Sequence, residues 1–343
     1  MIIIGLFIVL LVVLILPFVN KKVEENLEIF LFIMGIAAVS ITSQWSRAII
    51  MEALIEPIKI SLAVLIAGLL FRELKVFIDK NVTRSVKLFG VRLFSFLIVL
   101  FLGILSSAIT AIIASLVLVE IISHLKLDKK RETRLVILTC FSIGIGASLT
   151  PIGEPLSTIA ISKLKGPEYH AGFWFLAEHL WIYIVSALII LGIIAAHIPG
   201  HQSKEPGLKG TSKENITAIL FRTVKIYLFV IALVFLGTGF RPLIDNYVTA
   251  LPPEALYWIN IISAILDNAT LAAAEIAPSM GIYQIKSALL GLLIAGGMLI
   301  PGNIPNIIAA NKLKIKSKEW AKFGIPIGLA LMAVFFIFLI IVK

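Results

Sequence analysis

Residues 148–164 read SLTPIGEPLSTIAISKL, and residues 298–313 read MLIPGNIPNIIAANKL. Pro151 and Pro155 stand 150 positions before Pro301 and Pro305 with the same spacing, and both segments end in Lys-Leu. Two prolines four apart remove two backbone donors, and each ring crowds the carbonyl one turn back, so neither segment continues as a straight helix. Each lies inside a long apolar stretch. At membrane depth, broken backbone is tolerated only where protein buries it or a wet cavity needs it. Matching breaks in two halves of a chain point to the binding site of a transporter.

Composition sets the class. Of 343 residues, 59% are hydrophobic and only 15% are charged, against roughly 45–50% and about 25% in soluble domains. Mean hydropathy is +1.05. The single Cys140 excludes an internal disulfide framework and a cysteine-based metal site. A net charge of +10 would suggest nucleic acid in a soluble protein. Here the basic residues lie between apolar runs, where they encode topology, and no nucleic-acid partner is expected. Residues 1–16 resemble the apolar core of a signal peptide but lack a basic leader and are followed by Lys21 and Lys22, so they are read as a retained first helix.

Apolar runs of about 17–25 residues can span a bilayer. Runs at 2–19, 27–43, 49–71, 173–195, 219–239 and 323–342 qualify. Most Lys and Arg fall in the loops expected around 72–92 and at 124–134 and in the segments 197–225 and 312–322, which the positive-inside rule places together in the cytoplasm. Residues 93–123 then enter and leave by one face, as one tilted helix or as a re-entrant hairpin with Ser106, Ser107 and Thr110 near its tip. Residues 252–278, with Ser263, Asp267, Asn268 and Thr270 at their midpoint, form the matching hairpin from the other side. The expected fold is an all-α polytopic membrane protein of eight spanning helices with two inverted-topology repeats, each holding a re-entrant hairpin and a broken transmembrane helix. Peripheral N-terminal helices occupy 1–44. Repeat 1 spans 45–196, with its hairpin at 93–123 and broken helix at 135–163. A cytoplasmic linker covers 197–217, and repeat 2 spans 218–343, with its hairpin at 252–278 and broken helix at 286–311.

A charge at the bilayer centre costs roughly 2.5–3.5 kcal/mol even on lenient scales, so each buried acid needs a partner or a purpose. Asp267 beside Asn268 offers hard oxygen ligands for Na⁺, and the carboxylate can hold a proton instead. The plainer alternative is an Asp capping the second arm of the hairpin through the Ala269 or Thr270 amide. Glu154, between Gly153 and Pro155, is either an ion-site acid or a helix-start acid facing the positive end of the next half-helix. The corresponding stretch of the second break offers neutral Asn303 and Asn306. Unwound carbonyls near the breaks, with the Ser148 and Thr150 hydroxyls, can complete a cation shell, whereas half-helix N-termini favour anions. Glu275 follows Asp267 by two turns and is a candidate proton relay. Glu120 suits the interface, Glu56 and Lys59 suit an internal i,i+3 pair, and Glu178, His179 and Trp181 suit an interfacial belt.

The pairing of a serine-bearing or Asp-Asn hairpin with a following TPIGEP or PGNIPN break resembles the ion transporter superfamily. That grouping contains NhaD-type sodium/proton antiporters, ArsB-type arsenite carriers and divalent-anion/sodium symporters. The chain is most similar to a small prokaryotic family described as cation transporters. The resemblance implies two inverted repeats around a midplane site lined by Thr150, Pro151, Gly153, Glu154, Asp267 and Asn268. The first tip, SSAITAII, lacks an Asn or Asp, and neither tip has the Ser-Asn-Thr signature of sodium-coupled carboxylate carriers. Both departures argue against a symmetric two-sodium site.

The expected function is secondary active transport by alternating access, a monovalent cation (sodium)/proton antiport, in a multi-pass protein of the plasma membrane. An anion carrier, arsenite-like or sodium-coupled carboxylate, is the alternative, and an ion channel the third class. Expected partners are a small inorganic ion, protons and membrane lipid, with a homodimer as the candidate assembly. No cofactor is expected beyond the transported ion, and no nucleophile, metalloprotease or nucleotide motif supports an enzyme.

Overall fold

The computed structural model describes residues 2–20, 22–23, 26–125, 127–198, 208, 216–247, 251–266 and 268–342. Helices account for the secondary structure of these residues, and no strand occurs among them. Four helical stretches are long and apolar enough to cross a membrane: Leu88–Ile109, Phe175–His197, Ile219–Pro242 and Ser317–Ile341. Shorter apolar helices include Ala111–His124 and Ile282–Ala295. The chain is thus an all-helical protein with the composition of a membrane protein.

The N-terminal part forms one side of the molecule. Helices α1 (Ile2–Val19) and α2 (Leu27–Ile41) pack together, and α2 lies along α8 (Ile216–Tyr247). A Cβ at Gly35 would meet Phe235 Cβ at 2.8 Å, so the absence of a side chain lets the two backbones approach. Glu28 of α2, nearly buried, pairs with Lys225 of α8 at 2.6 Å. The first part of α3 (Arg47–Ile109) joins this bundle through a cluster of Val39, Ala53, Ile231, Val234 and Phe235. Tyr227 of α8 donates to the Leu54 carbonyl at 2.8 Å.

The basic stretch at 72–92, expected as a loop, is helical. Helical backbone runs through it from Arg47 to Phe89, and α3 kinks at Gly90 before continuing to Ile109. Arg, Glu, Leu and Lys are good helix formers, and no proline interrupts the stretch. Charge there records which side of a membrane a segment occupies, not whether its backbone is coiled. The single non-helical residue inside α3 is Gly90, at φ 69° and ψ 162°, a region that glycine enters without steric penalty.

Beyond Gly90, α3 packs against α4 (Ala111–His124), α5 (Lys129–Ala147) and α7 (Phe175–His197). Thr110 separates α3 from α4 at φ 77°, so the stretch 93–123 is not a single tilted helix. A short helix α6 (Pro155–Lys163) lies between α5 and α7. In the C-terminal part, α9 (Pro253–Ile259) leads into a 3₁₀ turn (Asn260–Ala264), then α10 (Asn268–Glu275), α11 (Ile282–Ala295), a second 3₁₀ turn (Ile300–Gly302), α12 (Ile304–Leu313) and α13 (Ser317–Ile341). Contacts between the two parts are reciprocal: α4 packs on α12, and α10 packs on α6. The core between them is built largely by α5 and α11, whose inner turns are almost wholly buried.

Of the linker at 197–217, residues 199–207 and 209–215 lie outside the described residues. Leu208 is buried, and its N–H donates to Glu132 Oε2 at 2.5 Å while Leu127 N–H donates to Oε1 at 3.0 Å. Two backbone N–H groups thus tie this carboxylate to both flanking segments.

Candidate functional site

Two interruptions face the core. α5 ends at Ala147, the chain turns through 148–154, and α6 begins at Pro155 with Glu154 as its N-cap, at φ −154° and ψ 159°. α11 ends at Ala295, the chain turns through 296–303, and α12 begins at Ile304 with Asn303 as its N-cap, at φ −154° and ψ 144°. Neither N-cap side chain bonds an amide of its own helix. A Cβ at Gly153 would overlap the Ala147 carbonyl, and one at Gly302 would overlap the Gly296 carbonyl. These three pairs of positions are each 149 apart, one less than the proline spacing. Proline is tolerated anywhere in a helix's first turn: Pro155 takes the first position and Pro305 the second, so the prolines slip by one residue while the caps do not.

The first interruption is tied by hydroxyls and backbone. Thr150 Oγ1 donates to the Ser107 carbonyl at 2.5 Å and accepts from Ile152 N at 3.3 Å. Ser148 Oγ is spent on the Ile145 carbonyl at 2.6 Å. The Ala111 N–H, at the start of α4, donates to the Gly153 carbonyl at 2.8 Å. Ser106 Oγ bonds the carbonyls of Gly103 and Ile143 at 2.7 and 3.0 Å, and Ser107 Oγ bonds Ile104 at 2.7 Å. Thr110 Oγ1 caps α4 by accepting from Ile113 N at 3.3 Å. The Glu154 side chain is buried beside this knot.

The second interruption is tied by carboxamides. Asn306 Nδ2 donates to the Gly296 and Leu299 carbonyls, both at 2.8 Å. Ser263 Oγ bonds Asn268 Oδ1 at 2.5 Å and the Leu292 carbonyl at 2.9 Å. The Asn268 carboxamide also lies over Gly296, where a Cβ would meet its Oδ1 at 2.6 Å. Ser263, Asn268 and Asn306 therefore converge on one glycine. Asn303 Nδ2 reaches across to Gly144 of α5, in space that a side chain at that glycine would fill. Asp267 lies outside the described residues.

Glu275 stands apart, at the end of α10, where its Oε2 accepts from Asn260 Nδ2 at 2.8 Å. The pairing of Asn260 with Glu275 is absent from the sequence reading; a buried Asn fifteen residues before the acid gives no periodic signal. Glu120 is partly buried, with His124 Nδ1 3.7 Å from its carboxylate. The Glu56 and Lys59 side chains lie outside the described residues. Trp181 and Trp174 are exposed on the surface of α7 and its approach. Cys140 is buried, its Sγ 3.7 Å from the Pro305 carbonyl. No group of three or more His, Cys, Asp or Glu suited to a metal ion occurs among the described residues.

Apolar spans, two interrupted helices meeting in the core and buried oxygen-rich side chains define an all-helical protein of membrane type with a polar centre. The chain belongs to the family described as "Protein of unknown function (DUF1646)", which it matches over residues 3–342. No curated protein matches it.

Proposed function

We propose that this protein is a multi-pass secondary carrier of the plasma membrane that exchanges a monovalent cation, sodium in the first instance, for protons by alternating access. The observation that carries this is the cluster of Ser263, Asn268 and Asn306 around Gly296, immediately next in sequence to Asp267. Carboxamide, hydroxyl and unwound carbonyl oxygens are hard ligands suited to Na⁺, and one adjacent carboxylate that takes either a cation or a proton suffices for exchange. Neither 148–154 nor 296–303 contains a Lys, Arg or His.

We propose further that the two parts are inverted repeats, each with a re-entrant hairpin and a broken helix. Three equivalences support this. A hairpin serine bonds a carbonyl of the following broken helix in both parts, Ser106 to Ile143 and Ser263 to Leu292. The second hairpin arms, α4 and α10, start 157 positions apart, which is also the separation of the two serines. The packing of α4 on α12 and of α10 on α6 is reciprocal, as a two-fold axis requires. In that register Thr110 corresponds to Asp267, so a hydroxyl that caps one arm stands where the other part has an acid. Broken helices around a central site, related by inverted topology, are the architecture of alternating access.

The test is a pH-jump assay in proteoliposomes with Na⁺, Li⁺ or K⁺ added in turn. Cation-dependent proton efflux is expected, lost in Asp267→Asn. Because Na⁺ and H⁺ compete for one carboxylate, calorimetric Na⁺ affinity should weaken as pH falls from about 8 to about 6. Equal affinity at both values, or movement of arsenite or a carboxylate without cation-proton coupling, would replace antiport by anion carriage. The N-termini of α6 and α12 would then be the binding groups.

A further inference from the structure

The buried acid at the end of α10 is held by one neutral side chain. Glu275 is 2% exposed. Its Oε2 accepts from Asn260 Nδ2 at 2.8 Å, and the other hydrogen of that amide goes to the Ala288 carbonyl at 3.1 Å. These two acceptors fix the orientation of the carboxamide, since exchanging its O and N would set oxygen against oxygen at both contacts. Glu275 Oε1 and Asn260 Oδ1 are then both buried with no donor among the described residues. Elements packed on α10 carry other titratable groups: Lys163 on α6, Lys225, Tyr227 and Arg241 on α8, and Tyr283 and Lys286 on α11; the side chains of Arg222, Asp245 and Tyr247 on α8 lie outside the described residues. The neighbouring α9 adds Glu254 and Tyr257. Among the described side chains none of these bonds or pairs with Glu275, whose one polar partner is Asn260. An ionised carboxylate in apolar surroundings is far costlier than the neutral acid unless a cation pairs with it.

We propose that Glu275 is a proton-binding site, in which a proton on Oε1 is donated to Asn260 Oδ1 and closes a carboxylic acid–carboxamide ring. One proton satisfies both unpartnered oxygens at once. The ring joins the end of α10 to the 3₁₀ turn at Asn260–Ala264 and, through Ala288, to α11. Loss of the proton sets carboxylate against carboxamide oxygen and leaves the link to rest on the Asn260 Nδ2–Oε2 hydrogen bond alone. This deepens the carrier reading and rests on it for its meaning: it gives the exchanged proton a holding place apart from Asp267. The site itself is measurable without transport.

The experiment is infrared spectroscopy of the purified full-length protein in detergent near neutral pH, in H₂O and D₂O. Wild type should show a carboxylic-acid carbonyl band, downshifted in D₂O, that Glu275→Gln removes and that Asp267→Asn and Glu154→Gln retain. Glu275→Gln should keep the wild-type melting temperature, because its amide N–H replaces the acid proton on Asn260 Oδ1. In Asn260→Leu the band should move to higher frequency as its hydrogen bond is lost. A spectrum in which Glu275→Gln removes carboxylate absorption and leaves the acid region unchanged would overturn the proposal. If the acid band is assigned to Glu275 while vesicles show no cation-dependent proton movement, the proton site stands and antiport falls. Exchange in vesicles with no acid band at Glu275 gives the opposite outcome.

Discussion

The two interrupted helices solve one backbone problem with different chemistry. Around 148–154, the chain is held by Thr150, Ser148 and the Ala111 N–H, short groups that saturate carbonyls locally. Around 296–303, Asn306 does the same work with a longer carboxamide, donating to the Gly296 and Leu299 carbonyls, while Asn268 accepts from Ser263 Oγ and lies over Gly296. The acid follows the opposite distribution. The first interruption has its carboxylate at the helix cap, Glu154, where the second has Asn303. The second part has Asp267 just before α10 in sequence, where the first has Thr110 just before α4. The two parts therefore carry their acids at different points of the sequence pattern.

That contrast is broken most decisively by removing the acids one at a time. Glu154→Gln keeps shape and loses the titrating group, and on the carrier reading cation-driven proton movement should fall to background while folding is unchanged. Wild-type transport by Glu154→Gln across pH would leave Glu154 as a helix-start acid only. The next largest effect is expected from the glycines. Gly153→Ala and Gly302→Ala each force a methyl against a backbone carbonyl, at a cost of about 1–3 kcal/mol. Thermal melts should place Gly153→Ala lower, because the opposing carbonyl is nearer there.

Asn306→Ala tests the carboxamide tie. It strips donors from the Gly296 and Leu299 carbonyls and should cost about 2 kcal/mol in denaturation. A loss below about 0.5 kcal/mol would mean that water replaces the amide and that the second interruption is open. The serines give the smallest change. Ser106→Ala should cost about 1 kcal/mol. Ser263→Ala should cost more, since it also leaves Asn268 Oδ1 without its donor. Equal losses would remove the distinction between a hydroxyl knot and a carboxamide knot.

The positions of the interruptions were legible in the sequence because their cause is local. A proline ring removes its own donor and clashes within one turn, and with a neighbouring glycine and an extended cap residue it opens a helix, as Pro155 and Pro305 do at α6 and α12, whereas Pro57 and Pro326 stand inside helices. Apolar run length marked Phe175–His197 and Ser317–Ile341 for the same reason. The basic stretch at 72–92 was misread because charge reports location while helix propensity governs backbone. What only the tertiary structure decided is which polar atoms meet. Asn260 in the 3₁₀ turn finds Glu275 at the end of α10, Asn303 reaches Gly144 from the other end of the chain, and Leu208 lands on Glu132. Partners such as these are set by how helices cross and how closely glycines let them approach. No pattern of period or spacing along one chain encodes that distance, so the sequence by itself determined where the helices break and the packing determined what the breaks face.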